Sequence, residues 1–245
     1  MAVAQKEIET LFEAGAHYGS TRARRHPSAA RFIFSTKDRA DIFDLEETVR
    51  RLEAARTFLS GLAGGGKQIL LVGGKNEVLS MVKEVGEKIG MPYVAGRWIG
   101  GTLTNFKNIR KRIDRLEKLI QERESGELEK YTKKERLLTD REIDELLARF
   151  GGLVKMLDLP AAMVVVDTRH EETAVREANQ LGIPVVAIAN SDCDFALIQY
   201  PIPANDSVLK SVRLFLEALA SSYEGGKRAP APAPEAKKST PTSRE

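Results

Sequence analysis

A single cysteine, Cys193, stands among the 245 residues, so no disulfide can form within the chain and a reducing compartment is its natural setting. Histidines are nearly as scarce. His17, His26 and His170 stand apart, and none belongs to an HExxH pattern or sits at ligand spacing from another. Long hydrophobic runs are missing too: the longest, 159–166, contains Pro160 and is far too short to span a bilayer. The first ten residues carry Lys6, Glu7 and Glu9 around no apolar segment, so a secretory signal is not expected there. Ser20, Ser191 and Ser207 lie in no GxSxG context, and no set of residues completes a catalytic constellation. Cys193 lies between Asp192 and Asp194, neighbours that raise a thiol pKa, which argues against a nucleophile.

What the sequence does have is a core-forming composition, 42% hydrophobic and 30% charged, as expected of a globular protein. Net charge is only +3, yet the positive charge is concentrated. Arg22, Arg24, Arg25, Arg31, Lys37 and Arg39 face only Asp38 in their stretch; Lys107, Arg110, Lys111, Arg112, Arg115 and Lys118 face only Asp114 and Glu117. Such local fields attract polyanions whatever the total charge.

Periodicity organises the rest. Residues 6–14 read as a short amphipathic helix. Residues 31–45 read as a hairpin, with Phe32-Ile33-Phe34, a polar turn over 35–39, then Ile42-Phe43. Asp44 and Glu47 are placed as an N-cap and its N3 partner for a helix through Gly61. The runs 69–72, 92–94, 163–167 and 183–188 read as buried strands, and the proline-bounded 200–203 as an edge strand. Helices are expected between them, over 78–89, from a Thr168/Glu171 capping box to Leu181, and after an Asn205-Asp206 cap. Alternating strands and helices imply a parallel α/β sheet covered on both faces, with right-handed crossovers.

One segment breaks this alternation. Phe106, Ile109, Ile113, Leu116 and Ile120 repeat at three- and four-residue steps. After a turn at Ser125-Gly126 and a Thr132/Glu135 capping box, Leu138, Ile143, Leu146 or Leu147, and Phe150 continue. The expectation is an antiparallel coiled-coil hairpin over 105–150, inserted into an α/β domain made of 1–104 and 151–223 and closing on its own seam. The segment 224–245, rich in Pro, Ala, Ser, Thr and Lys with no apolar face, is expected to be disordered.

Two glycine-rich stretches bear on ligands. Residues 61–68, GLAGGGKQ, approach the phosphate-loop pattern GxxxxGK[ST], but Gln68 offers no hydroxyl and the glycines precede the strand. Gly73-Gly74-Lys75 does follow a strand and precede a helix, so its donors could hold a small phosphate ligand or a nucleic-acid phosphate. A third stretch, 96–106, reads GRWIGGTLTNF at a strand-to-helix junction. Arg97 beside Trp98 suits an RNA surface, Trp98 is expected to be buried, and Thr104 or Asn105 can cap the long helix. His17 could meet Asp192, Asp194 or Asp206 in a cation site; a structural hydrogen bond is the simpler role.

In order, LFEAGAHYGS, FIFSTKDRADIFDLEET, ILLVGGKNE, GMPYVAGRWIGGTLTNFKNIRKRI, LGIPVVAI and YPIPAND resemble the family of the second protein of the small ribosomal subunit, in its bacterial form. The resemblance covers residues 8–219. It implies a flavodoxin-like three-layer sheet with an inserted coiled-coil hairpin, no catalysis, no cofactor and no small-molecule substrate. It further implies binding to small-subunit rRNA between head and body on the solvent side, and docking of the large mRNA-binding protein of that subunit. The chain departs from the family's pattern at Ser20, where a second histidine is usual, at Arg25-His26-Pro27, and in the loop 192–198. On this reading the expected RNA contacts are Arg22, Arg24, Arg25, Lys75, Arg97, Thr102, Lys107, Arg110 and Lys111. The rivals are an enzyme of the same sheet class using Gly73–Lys75, and an RNA-binding regulator off the ribosome.

Overall fold

The computed structural model describes residues 2–228. Five parallel strands, β4 (Ile69–Gly73), β5 (Tyr93–Ala95), β6 (Ala162–Val166), β7 (Val185–Ala189) and β8 (Tyr200–Pro203), form one sheet in the order β5-β4-β6-β7-β8. Counted within the sheet this is the 2-1-3-4-5 order of flavodoxin-like folds. Every residue of β4, β6 and β7 is buried, the reason these strands read as unbroken apolar runs. β8 carries Pro201 and Pro203 and, as expected, takes an edge.

Alternate side chains feed two cores. Ile69, Leu71, Val164, Val186 and Ile188 meet Leu52, Ala55 and Leu59 of α2 (Leu45–Gly64), Val82 and Val85 of α3 (Leu79–Ile89), and Phe215, Leu216 and Leu219 of α7 (Leu209–Arg228). On the opposite face Leu70, Val72, Met163, Val165, Val185 and Ala187 meet Ala174, Val175 and Ala178 of α6 (Glu172–Gln180). Trp98, Leu103, Ile109, Ile113 and Phe150 fill the same layer, together with Phe32 and Phe43.

Phe43 comes from a second, antiparallel sheet, in which β1 (Tyr18–Thr21) and β2 (Ile33–Lys37) flank β3 (Ala40–Phe43). The hairpin is the expected one, although Phe32 ends a 3-10 turn over Pro27–Phe32 rather than starting the strand. Its two-residue loop holds Asp38 and Arg39 at φ 50° and 67°, the two positive values a type I′ turn needs. β1, with the sequence YGST, offers no apolar alternation and was not expected. α1 (Ala2–Glu13) packs on α2.

The helices of the long excursion are α4 (Phe106–Glu124) and α5 (Lys133–Phe150), with the expected Thr132/Glu135 capping box at the start of α5. Their apolar residues do not close only on each other. Ile109, Ile113 and Phe150 belong to the sheet's second core, and a separate small cluster of Leu116, Leu119 and Ile143 sits farther out. Leu138, expected in the seam, is 53% exposed, and Leu119 is buried there instead.

Four further expectations are corrected. Glu47 does not complete a capping box: Asp44 caps α2, while Glu47 pairs with Arg50 and Arg51 at 2.6 and 2.7 Å. Thr168 caps nothing, because Asp167, at φ 63°, accepts from the N–H groups of Arg169 and His170 and delays helix α6 to Glu172. Asn205 alone turns the chain into α7, accepting from Ser207 and Val208, while Asp206 is engaged elsewhere. Finally, the boundary placed after Tyr223 lies five residues early. α7 runs to Arg228, Gly226 is buried with no room for a side chain against Ser60, and the Lys227 ammonium donates to Ile89 O at 2.9 Å. The remainder of the tail, 229–245, lies outside the described residues.

Tyr93 joins the sheet to the returning chain. A Cβ at Gly86 would fall 2.6 Å from the Tyr93 ring, and one at Gly152 would fall 2.7 Å from two of its carbons. Neither position has room for a side chain, Gly86 because of the ring and Gly152 because of the Tyr93 carbonyl as well as the ring. Gly152→Ala is expected to lower stability by about 1–3 kcal/mol, an overpacking cost, in urea unfolding followed by circular dichroism.

Candidate nucleic-acid interface

The segment 96–105 has little regular structure, so its N–H groups need partners from elsewhere. One residue supplies them. Glu177, on α6 and 8% exposed, accepts through Oε1 from Trp98 Nε1 (3.0 Å) and Gly101 N (2.8 Å). Its Oε2 accepts from Leu103 N (3.0 Å), Thr104 N (3.1 Å) and Thr104 Oγ1 (3.0 Å). Trp98 is thereby buried, as expected, with its one polar atom satisfied. Neither Thr104 nor Asn105 caps α4 through its side chain; Thr104 is turned toward Glu177. Burial pushes the Glu177 carboxyl up, but hydrogen bonds from Trp98, Thr104, Gly101 and Leu103 outweigh it and leave the group below the ordinary glutamate value.

The strand ends at the switch point of the sheet are where ligands bind in folds of this order. A polar pocket of about 340 Å³ lies there, lined by Gly74, Lys75, Asn76, Glu77, His170 and Ser207. Its two best anion donors are already occupied. Gly74 N donates to the buried Glu171 carboxylate at 3.0 Å, which also holds His170 Nδ1 at 2.6 Å. The Lys75 ammonium lies 2.7 Å from Asp167 and 3.0 Å from Asp206. Burial works against that ammonium, yet Asp206 and Asp167 together hold it above the ordinary lysine value. Lys75 is thus shared by both acids and stands where a cation would sit beside Asp167 and Asp206. Burial pushes the Cys193 thiol up to about 12, with Asp167 and Asp206, rather than its sequence neighbours, adding to the rise. No nucleophile is poised here.

His17 is buried between the rings of Phe12 and Tyr18, with centroids 4.3 and 4.0 Å away. Its Nδ1 has no hydrogen-bond partner, so the expected structural bond is not made by that atom. The three acids considered for it are engaged elsewhere: Asp192 with Arg169 at 2.6 Å, Asp194 with Ser28 and Ala196, and Asp206 with Lys75 and Asn190.

The nine expected RNA contacts divide into two groups. Arg25 binds the fully buried Asp41 through Nε at 2.7 Å and through Nη2, which also donates to Thr36 at 2.9 Å. Arg110 spans Asp114, Glu117 and the Val154 carbonyl at 2.7, 2.9 and 3.1 Å. Lys75 is held as described, and Thr102, 2% exposed, donates to Ile99 O at 2.6 Å. These four have structural work inside the fold. Arg22, Arg24, Arg97, Lys107 and Lys111 are exposed and make no ion pair among the described residues. Sequence reasoning passed over Lys37, Arg39 and Arg112, which are equally exposed and equally unpaired. Only the charge run itself could have flagged them.

Seven of these eight cations fall in two places, Arg97 apart; exposed cations without an ion pair among the described residues also stand elsewhere, as at Lys67, Lys88, Lys134, Arg141 and Lys210. Arg22 N donates to Arg39 O at 2.8 Å, and Lys37 lies opposite Ala40, so the segment after β1 and the β2–β3 turn form one basic tip. Lys107, Lys111 and Arg112 line the exposed side of α4. There a groove of about 780 Å³ opens between the roots of α4 and α5, with Arg115 and Arg149 on its walls beside Glu142 and Glu145.

A model of the family described as Ribosomal protein S2 matches residues 11–226. The chain belongs to the ribosomal protein S2 family. Among curated relatives, the small ribosomal subunit protein uS2 of Chloroherpeton thalassium is 42% identical, covering 90% of this chain and 88% of its own length. The uS2 protein of Syntrophobacter fumaroxidans is 41% identical over 90% of this chain and 81% of its own. That of Coprothermobacter proteolyticus is 40% identical over 90% and 82%. The matched region includes both basic places and the Glu177 junction. Ser20 N donates to Asn190 and Ser191, and His26 Nδ1 lies 2.7 Å from Ser28, which bonds Asp194.

Two outcomes follow. Glu177→Gln faces N–H donors with an amide NH₂ and is expected to cost about 2–4 kcal/mol in denaturant unfolding, since buried donors left unpaired cost roughly 1–3 kcal/mol each. Because the folded Glu177 pKa is depressed, its contribution is present above the unfolded value near ~4.3 and is lost as pH falls through the folded one. Wild-type stability should therefore decline below about pH 4 more steeply than that of Glu177→Gln. Lys75→Ala strands two neighbouring buried carboxylates and is expected to cost about 3–5 kcal/mol, with partial recovery in Lys75→Ala/Asp206→Asn.

Proposed function

We propose that the chain is a structural, non-enzymatic constituent of the small ribosomal subunit that binds small-subunit rRNA and supports translation. Its place is the ribosome in the cytoplasm, at the head–body junction on the solvent side, where it helps dock the large mRNA-binding ribosomal protein. The junction and the docking role come with the family resemblance, whereas the α4–α5 pair as a hairpin inserted into the sheet domain is read from apolar spacing. The observation that carries RNA binding is the sorting of cations. Of the nine cations and polar groups expected at RNA, Arg25, Lys75 and Arg110 are partly buried and held by carboxylates, while Arg22, Arg24, Arg97, Lys107 and Lys111, with Lys37, Arg39 and Arg112 beside them, are exposed and unpaired among the described residues. Unpaired cations in two patches fit a polyanion's backbone, with the folded shape of the RNA supplying specificity. The engagement of Gly74 N and Lys75 by carboxylates of the fold weighs against the nucleotide-dependent enzyme. No helix among the described residues is long and apolar enough to cross a membrane.

The test is the binding of the full chain to a small-subunit rRNA transcript across salt concentrations. Replacing Arg22, Arg24, Lys107 and Lys111 by Glu is expected to weaken binding and to reduce the slope of log K against log salt by about 1 for each phosphate contact removed. Arg110→Ala, whose guanidinium serves the fold, should leave the slope unchanged. A slope identical to wild type in the four-fold variant would count against these patches.

A further inference from the structure

Phe34 is 77% exposed, more than any other large hydrophobic residue described. A surface phenylalanine alone needs no explanation, but this one is placed by a defect in the sheet. β2 pairs Ile33 with Phe43 and Ser35 with Ile42, so two steps on β2 match one on β3 and Phe34 is the extra residue. Such a bulge leaves its residue unpaired in the ladder and re-aims its side chain. Its neighbours Phe32 and Ile33 turn inward, Phe32 into the core at 1% exposure and Ile33 packed against it. The FIF run therefore splits, with two residues kept by the core and one expelled.

The surroundings narrow what could cover the ring. Phe34 lies three residues along β2 from Lys37, at the start of the turn that carries Arg39, and Arg39 O accepts from Arg22 N. Arg25 reaches the same strand through Thr36, drawing the Arg22–Arg24 turn against it. Arg22, Arg24, Arg31, Lys37 and Arg39 are all exposed around this hairpin, and Asp38 is the one exposed acid between Tyr18 and Phe43, since Asp41 is buried under Arg25. An apolar protein surface would have to approach through that field without charge to meet it. A nucleic acid brings phosphates for the cations and an uncharged π face for the ring.

We infer that Phe34 is a stacking platform for an unpaired base of RNA, held at the bulge while the hairpin's cations hold the flanking phosphates. The inference rests on the RNA-binding reading above and adds to it a contact that carries no charge. Stacking on one aromatic residue is worth roughly a 5- to 150-fold change in affinity, and it is indifferent to salt because no counterion is released.

Titration of full-length protein with a small-subunit rRNA transcript tests it. Phe34→Ala and Phe34→Leu are expected to bind roughly 5- to 150-fold more weakly with the salt slope of wild type, because leucine keeps apolar area but has no ring. Phe34→Trp should keep its affinity, and its indole fluorescence should fall when RNA is added, against the fixed background of buried Trp98. Wild-type protein without measurable affinity would overturn the RNA reading and the platform together. Wild-type binding matched by both Phe34→Ala and Phe34→Leu would overturn the platform alone. So would full RNA binding by Phe34→Leu coupled with its loss from assembled subunits, an outcome that gives the ring to a protein neighbour instead.

Discussion

The carboxylate of Glu177 gathers five donors from one short stretch of chain: the indole of Trp98, three backbone N–H groups and the Thr104 hydroxyl. That stretch must leave the C-terminal end of β5, cross the second face of the sheet and deliver the chain into α4. It cannot take its hydrogen bonds from a ladder or a helix while doing so, and the same bonds could not be left unmade under Trp98 and Leu103, both buried. A single acid on a neighbouring helix resolves this. With the junction fixed, Ile109 and Ile113 fall onto the sheet, Phe150 follows on the return, and Gly152 brings the chain back against Tyr93. The direction in which the α4–α5 pair leaves the body thus traces to one residue of α6.

Charge is arranged on the same principle of local closure. Lys75, Arg25 and Arg110 each meet two acceptors or more and are part of the fold's interior bookkeeping, with Asp41, Asp167 and Asp206 buried against them. Burying such charges is costly unless the geometry is good, and here each of these buried acids has a cation within 3.0 Å, Asp167 and Asp206 sharing one. What is left unpaired at the hairpin tip, Asp38 apart, and on the first turns of α4 is positive. A flavodoxin-like sheet offers a ligand crevice at its switch point, and here the lysine and the Gly74 N–H that face it are engaged by carboxylates of the fold. Exposed cations without an ion pair among the described residues stand instead at the hairpin tip and along α4.

Much of this was legible in the residues. Buried parallel strands announce themselves as runs such as ILLV and MVVV, the prolines of 200–203 mark an edge, and the helical pair is written in its spacing. Less legible were features set by partners distant in sequence. Glu177, in the middle of a helix, looks like any surface glutamate until Trp98 arrives 79 positions away. Lys75, Arg25 and Arg110 look like free cations because their acids lie far along the chain or on the same helix face. Thr168 and Glu171 match a capping box, yet Asp167 in a left-handed conformation and a glutamate drawn to Gly74 put the helix start elsewhere. The bulge at Phe34 needs β3 to exist before it can be seen. Position 138 shows the limit of heptad counting, since Leu138 is exposed while Ile143 and Phe150 farther along the same helix are buried.

The central claim is that this chain works as a built-in part of the small ribosomal subunit. Sedimentation of a lysate through a sucrose gradient at moderate and at high salt, with the protein followed by immunoblot, tests it most directly. The account predicts that the protein travels with small subunits and with whole ribosomes at moderate salt and is partly released as salt rises. Recovery only at the top of the gradient in both conditions would contradict it.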